Sequence, residues 1–235
     1  MNKASKAFLT VWKVIAALCG VMFLLTFAIP FAAFAVIITI AVAVLSGTAK
    51  ADPNMAAKQI KSVSAVLAVM LLIGFSMPPI GISSPFKWQY PIQRFYTGLY
   101  HNEKEPDYFG DFLGDVQSDY KFEYLPSIMQ GTGYYSVTFT TSPERAAEYA
   151  AEFAPKAQYT ISLAEYIDSD IYYIGERDPA MKNVLDVYVS ESMKNGCSDK
   201  AKIYVLSAVL NFNHPHSSAV IVDTETGKVQ LSQLG

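Results

Sequence analysis

The chain has 235 residues, 51% of them apolar, with a mean hydropathy of +0.22 and a formal net charge of −3. Residues 1–86 hold six lysines (Lys3, Lys6, Lys13, Lys50, Lys58, Lys61) against Asp52, a net +5, whereas residues 87–235 hold 12 basic and 20 acidic residues, a net −8. Such a split excludes a single soluble domain, and an acidic second part without a basic stripe excludes nucleic acid as a partner.

All 15 tyrosines follow position 89. The basic, apolar part suits a bilayer and the acidic, tyrosine-rich part suits water. The expected division is a transmembrane anchor over 1–86, a juxtamembrane linker over 87–118 and a soluble domain over 119–235. Cys19 and Cys197 fall in different parts, which argues against a disulfide between them.

From Phe8 to Ser46 the only ionisable side chains are Lys13 and the Cys19 thiol. As one helix this run would be about 58 Å long, against a hydrocarbon core of about 30 Å. Pro30 lacks an N–H and favours a break near the middle. Two arrangements fit: a hairpin turning near Pro30, or one long kinked helix projecting from the bilayer. The hairpin lacks a polar turn, and its second arm, Phe31 to Ser46, is short for a span.

The polar segment Thr48–Lys61 follows, and then Val63 to Ile82, an uncharged run of spanning length that contains Pro78-Pro79. A signal-peptide reading at Phe31-Ala32-Ala33-Phe34-Ala35 is disfavoured because Val36–Leu45 continues apolar. The N-terminus is therefore expected to be an uncleaved anchor.

Lysine bias orients the chain differently for two spans and for three. With three spans all six lysines face the cytoplasm and the acidic domain is exported. With two spans the loop lysines lie outside and the domain stays in the cytoplasm. The three-span arrangement satisfies the bias better.

Trp88, Tyr90, Arg94, Phe95, Tyr96 and Tyr100 then mix aromatics with cations, as suits the lipid headgroup region. The stretch DYFGDFLGDVQSDYKFEYLP, Asp107 to Pro126, places an acid at every fourth position. A four-residue beat drifts about 40° per repeat on a helix, and its two glycines would weaken one. From Asp119 the pattern becomes alternation (Tyr120, Phe122, Tyr124), which predicts a strand. The acids are thus split between a loop and a strand, and their spacing does not match a calcium loop.

Tyr134–Thr141 reads as a strand. Ser142-Pro143-Glu144 opens a helix with apolar stripe Ala146, Tyr149, Ala150 and Phe153, stopped at Pro155. Tyr159–Leu163 and Ile171–Ile174 read as strands, and 179–194 fits either state. Lys202–Phe212 and Ala219–Asp223 are strands, and Glu225-Thr226-Gly227-Lys228 turns into Val229–Leu231. The expected fold class is α+β: transmembrane helices, then a mostly antiparallel sheet domain with one or two helices on one face.

For chemistry, Asn213-His214-Pro215-His216-Ser217-Ser218 stands out. His214 and His216 are candidate ligands of a divalent metal, although two ligands do not make a site and His101 lies far off. The competing reading is a strand-joining loop broken by Pro215. A nucleophile from Cys197 with either histidine is disfavoured, because Lys194-Asn195-Gly196-Cys197 is a turn. A Ser217/His216/Asp223 triad has no nucleophile elbow to support it. The tyrosines invite a binding platform, and Tyr134-Tyr135 and Tyr172-Tyr173 must each place one ring on the opposite face of a strand.

At FEYLPSIMQGTGYYSVTFTT (Phe122–Thr141) and LNFNHPHSSAVIV (Leu210–Val222) the chain resembles uncharacterised membrane-anchored proteins of Gram-positive bacteria, a resemblance that implies no activity. The function expected is a multi-pass, membrane-anchored, non-enzymatic binding or sensing module of the bacterial cell envelope, needing no cofactor. Its partners would be the lipid bilayer and another membrane or envelope protein. Two alternatives remain: a metal-dependent hydrolase using His214 and His216, and an accessory subunit of a membrane complex.

Overall fold

A computed structural model of the chain describes residues 3–76, 81–98, 109, 111–127, 131–169, 172–173, 184–211 and 214–235. It divides into two compact units, Met1–Ile82 and Ser83–Gly235.

The first unit is three long helices: α1 (Lys3–Thr26), α2 (Ile29–Ala51) and α3 (Pro53–Ser76). Each is long and apolar enough to cross a membrane, over Ser5–Thr26, Pro30–Ala51 and Pro53–Gly74. The hairpin alternative is therefore the one adopted. Its turn needs no polar run, because only Phe27 and Ala28 separate the helices. Phe27 takes a left-handed φ of 56° and its N–H donates to the Phe23 carbonyl at 2.7 Å. The Thr26 hydroxyl donates to the Met22 carbonyl at 2.7 Å and accepts from the Ala28 N–H at 3.2 Å. Pro30 sits in the first turn of α2, where its missing N–H costs nothing.

The expected polar loop is just as short. Asp52 alone joins α2 to α3: its N–H donates to the Thr48 carbonyl, and its carboxylate accepts from the Asn54 and Met55 N–H groups at 2.9 and 3.1 Å. Pro53 follows at the favoured first helical position. The lysines of 48–61 consequently lie on helices.

Leu9, Trp12, Ala16 and Cys19 of α1 pack with Ile38, Val42 and Leu45 of α2 and Ile60 and Leu67 of α3. Large apolar side chains also point outward along all three helices, among them Val14, Leu18, Val21, Ile40, Val44, Val66 and Leu72. Helices apolar on both faces belong in lipid. At Gly74 a Cβ would overlap the Phe34 ring, so this glycine lets α2 and α3 approach.

The second unit is built on a seven-stranded sheet. Its strands are β1 (Ile82–Ser84), β2 (Ser118–Leu125), β3 (Tyr134–Thr140), β4 (Tyr159–Ser162), β7 (Lys202–Asn211), β8 (His214–Asp223) and β9 (Lys228–Leu234), in the order β1-β2-β3-β9-β8-β7-β4. β5 (Tyr172–Tyr173) and β6 (Val184–Leu185) form a separate pair. Every pairing from β2 across to β4 is antiparallel. β9 runs down the middle, with Tyr134↔Leu234 through Thr140↔Lys228 on one side and Ser217↔Leu234 through Asp223↔Lys228 on the other.

One face carries Tyr120, Phe122, Tyr124, Tyr135, Val137, Phe139, Val229 and Leu231, all buried. Against it pack Tyr90 of α4 (Tyr90–Gly98), Phe109 and Phe112, and Tyr149 and Phe153 of α5 (Pro143–Phe153). Edge-to-face and stacked pairs fill this aromatic core, including Tyr90–Phe112 at 4.8 Å, Phe109–Tyr135 at 5.0 Å and Phe112–Phe139 at 5.4 Å. α5 is capped as its sequence predicts, the Ser142 hydroxyl accepting from the Arg145 N–H at 3.2 Å. The second face buries Ile203, Val205, Ala219 and Ile221 under Leu163 of α6 (Leu163–Asp168), Leu185, Val187 and Val189, and Met193 of α7 (Glu191–Gly196). Two short helices thus lie on the face opposite α5. The stretch 87–118, expected as a linker, contains α4 and core aromatics of this unit.

In the helical unit the buried Trp12 indole donates to the Ser64 hydroxyl at 2.8 Å, joining α1 to α3. Ser64→Ala leaves that N–H unbonded and should cost roughly 1–3 kcal/mol, whereas Ser64→Thr should retain most of it. Thermal unfolding in detergent, followed by circular dichroism, measures the difference.

Candidate functional site

The regularly spaced acids of the 107–126 stretch that are described bond to different partners. The Asp115 carboxylate accepts from Arg145 Nη2 at 3.0 Å and Tyr149 Oη at 2.6 Å, tying the loop to α5. Burial raises its pKa, but donation from Arg145 and Tyr149 outweighs this and leaves it lowered. Asp119 sits at a β-bulge with a left-handed φ of 52°, and its carboxylate accepts from Ser118 and Thr140. That local bonding is what lets a non-glycine residue hold the conformation. Glu123 pairs with Lys121 at 2.6 Å and accepts from Tyr188 Oη at 3.2 Å. Asp111 lies in the described loop, and Asp107 is outside the described residues. The loop-and-strand reading holds over the described residues, and the acids among them do not converge.

His214 and His216 lie within β8 rather than in a loop, opposite Asn211 and Val209. Pro215 is tolerated because β9 pairs with β8 only from Ser217 onward, so the missing N–H costs no second ladder bond. The His216 ring is half-buried and packs against Gly235. The His214 side chain and all of His101 are outside the described residues. Among the described residues no group of three or more His, Cys, Asp or Glu could hold a metal ion.

The conjectured triad does not assemble. Ser217 and Asp223 share one face of β8 and His216 projects to the other. Ser217 and Asp223 are also six residues apart in extended chain, about 20 Å. The Ser217 hydroxyl donates to the Asp186 carbonyl at 2.6 Å. Cys197 belongs to the opposite end of β8 from the histidines, since Ser198 is bound to Asp223. Burial, with the Asp223 charge, pushes the Cys197 thiol up to about 11, outweighing the opposite pull of Lys228. A thiol protonated at neutral pH is a poor nucleophile.

Asp223 organises that end. Its buried carboxylate accepts from the Ser198 N–H (2.6 Å) and hydroxyl (2.8 Å), the Glu225 N–H (2.9 Å) and the Thr226 hydroxyl (2.8 Å). Gly227 then turns with φ 75° against the Thr141 carbonyl, where a Cβ would not fit.

Sequence reading missed a polar seam on the second face. Ser136 and Thr138 of β3 and Gln230 and Ser232 of β9 are all buried there. Gln230 bridges to the crossing segment, accepting from the Ser190 N–H at 2.9 Å and donating to the Tyr188 carbonyl at 2.7 Å. Thr138 and Ser190 share a hydrogen bond at 3.1 Å. At its rim the half-buried Tyr134 and Tyr188 rings stack at 3.7 Å and 7°. Tyr135 goes to the aromatic core, so the YY pair divides between faces as alternation requires. The Tyr172 and Tyr173 side chains are outside the described residues. The available signal was the run Tyr134, Ser136, Thr138, Thr140 at every second position, polar where a core strand would be apolar.

No protein-family model matches the chain, and no curated protein or solved structure matches it either.

Burial raises the Asp223 pKa, while the hydrogen bonds from Ser198, Thr226 and Glu225 carry it down to about 2. The unfolded carboxyl titrates near ~3.9, so its stabilisation is complete above that pH and fades as pH falls toward the folded value. Asp223→Ala should therefore cost roughly 2–4 kcal/mol at pH 7. The gap between variant and wild type should narrow between about pH 4 and pH 2, read from melts of the full chain in detergent.

Proposed function

We propose that the chain is a membrane-anchored, non-enzymatic binding or sensing module of the bacterial cell envelope, its α+β domain on the extracytoplasmic side. The observation that carries this reading is the count of three apolar helices among the described residues. An odd number of crossings gathers Lys3, Lys6, Lys13, Lys50, Lys58 and Lys61 at one end of the bundle. By the lysine bias that end faces the cytoplasm, and α3 then leads outward. A binding role is supported by the stacked, partly exposed rings of Tyr134 and Tyr188, set next to the charged pair Glu123 and Lys121.

The domain also rests on the bilayer through the start of its chain. Of the aromatics expected at the headgroups, Tyr90 and Tyr96 are buried in the domain, Trp88 and Phe95 are 58% and 70% exposed, and Tyr100 is outside the described residues; nearby Phe86 is 44% exposed. Trp88, Pro91 and Phe95 follow helical spacing, and Lys87 and Arg94 stand beside them. This is the composition of an interfacial surface.

Cys197, half-buried with a raised pKa, is a poor topology reporter. Lys200→Cys, at an exposed position in a chain with Cys19 and Cys197 changed to Ala, serves instead. A membrane-impermeant thiol reagent should label it in intact cells. Labelling only after permeabilisation would place the domain in the cytoplasm and overturn the reading.

With Trp12→Phe, Trp88 is the remaining tryptophan. In vesicles, its fluorescence should be quenched by lipids brominated near the headgroup and shielded from acrylamide. The reverse pattern would remove the bilayer contact.

A further inference from the structure

We infer that the groove between α1 and α2 at the lysine-rich end of the bundle is a binding site for one anionic phospholipid with a hydroxyl-bearing headgroup. The groove has a volume of about 530 Å³ and is lined by Lys13, Ala16 and Ala17 of α1 and Thr39, Val42, Ala43 and Ser46 of α2.

Its depth follows from the two tight turns. Counting back from Phe27 and Ala28 sets Lys13 level with Val42. Counting from Asp52 sets Lys61 of α3 level with Ala43. Lys13 and Lys61 therefore mark one plane, and the other four lysines lie beyond it. From that plane to the hairpin turn is 14 residues of α1, about 21 Å at ~1.5 Å each. A hydrocarbon core of about 30 Å is thicker than this, so the Lys13 ammonium must reach outward or the headgroup must come in. Side chains on a helix lean toward its N-terminus, which for α1 is the lysine-rich end. Both adjustments bring a lipid phosphate to the mouth of the groove.

The lining then divides the lipid into parts. Lys13 supplies three donors and a charge for the phosphate. The Ser46 hydroxyl, one turn beyond Lys13 toward the lysine-rich end, donates to the Val42 carbonyl at 2.7 Å, so its oxygen is left to accept. An acceptor beside a phosphate site calls for a headgroup with hydroxyl donors, as in phosphatidylglycerol. Deeper along the helices Ala16, Ala17 and Thr39, whose hydroxyl is turned back to the Ala35 carbonyl at 2.6 Å, leave a shallow track for an acyl chain. Lys61 lines no part of this groove, and so separates a built site from general attraction to a basic collar.

Native mass spectrometry of the full chain in detergent, titrated with phosphatidylglycerol or phosphatidylcholine of the same chains, tests the site. Wild type should retain one phosphatidylglycerol in preference to phosphatidylcholine. Lys13→Gln should weaken that binding about fivefold, the worth of one interfacial cation, while Lys13→Arg should keep it. Ala43→Leu fills the groove at constant charge and should also abolish the preference, with Ala17→Leu as a second variant should the first fail to fold. Lys61→Gln should leave it intact, and inorganic phosphate should not compete.

Equal losses from Lys13→Gln and Lys61→Gln would overturn the site in favour of a diffuse basic collar. No effect of groove filling would reduce Lys13 to a snorkelling anchor. Competition by phosphate would assign the contact to the free anion, and no lipid preference at all would end the proposal.

Discussion

An apolar turn without a run of polar residues in sequence must finish its hydrogen bonds locally, and the hairpin between α1 and α2 meets that constraint with three residues. Thr26 accepts and donates at once, Phe27 adopts a left-handed conformation to close the helix, and Pro30 needs no partner. Because the connection is this short, the apolar run 8–46 folds into two helices instead of one. The turns then decide which end of the bundle gathers the lysines. A single polar residue, Asp52, performs the matching service at the other end, closing α2 and opening α3. The level of Lys13 against Val42, and so the groove, is a consequence of the first of these turns.

The second unit depends on a different closure. β9, the last strand, inserts between β3 and β8, so residues almost a hundred positions apart pair directly, as Tyr135 does with Gln233. Such pairing carries a large loop-closure cost before it returns any contact energy. The return comes from burying both faces of the central strand. One side is aromatic, where Phe112, Phe122, Tyr135 and Phe139 interlock. The other side is aliphatic toward β7 and polar toward β3, where Gln230 and Ser190 bond across the seam. A buried polar layer is tolerated there because the crossing segment 185–190 brings backbone partners to it.

The same geometry disperses the residues that looked chemical in one dimension. Alternation along β8 sets His216 on the face opposite Ser217 and Asp223, so neighbours in sequence are separated by the thickness of the sheet. Cys197 and Asp223 do meet, yet the result is a protonated thiol beside a carboxylate engaged in closing a hairpin. The site-like feature that emerges instead, the Tyr134–Tyr188 stack, joins residues 54 positions apart in the chain.

By itself the sequence determined whatever depends on local order. It placed the apolar runs, the lysine bias, the Ser142 cap, the alternation of Tyr120, Phe122 and Tyr124, and the turn at Gly227. Each is settled within a few residues by hydrogen-bond geometry or by which face of an element meets water. Only the tertiary structure decided that His214 and His216 belong to a strand. It also decided that β9 is central and that Lys13 shares a groove with Ser46. Those outcomes rest on pairs whose separation in the chain carries no periodic signal, and they exist only once the packing that joins them has formed.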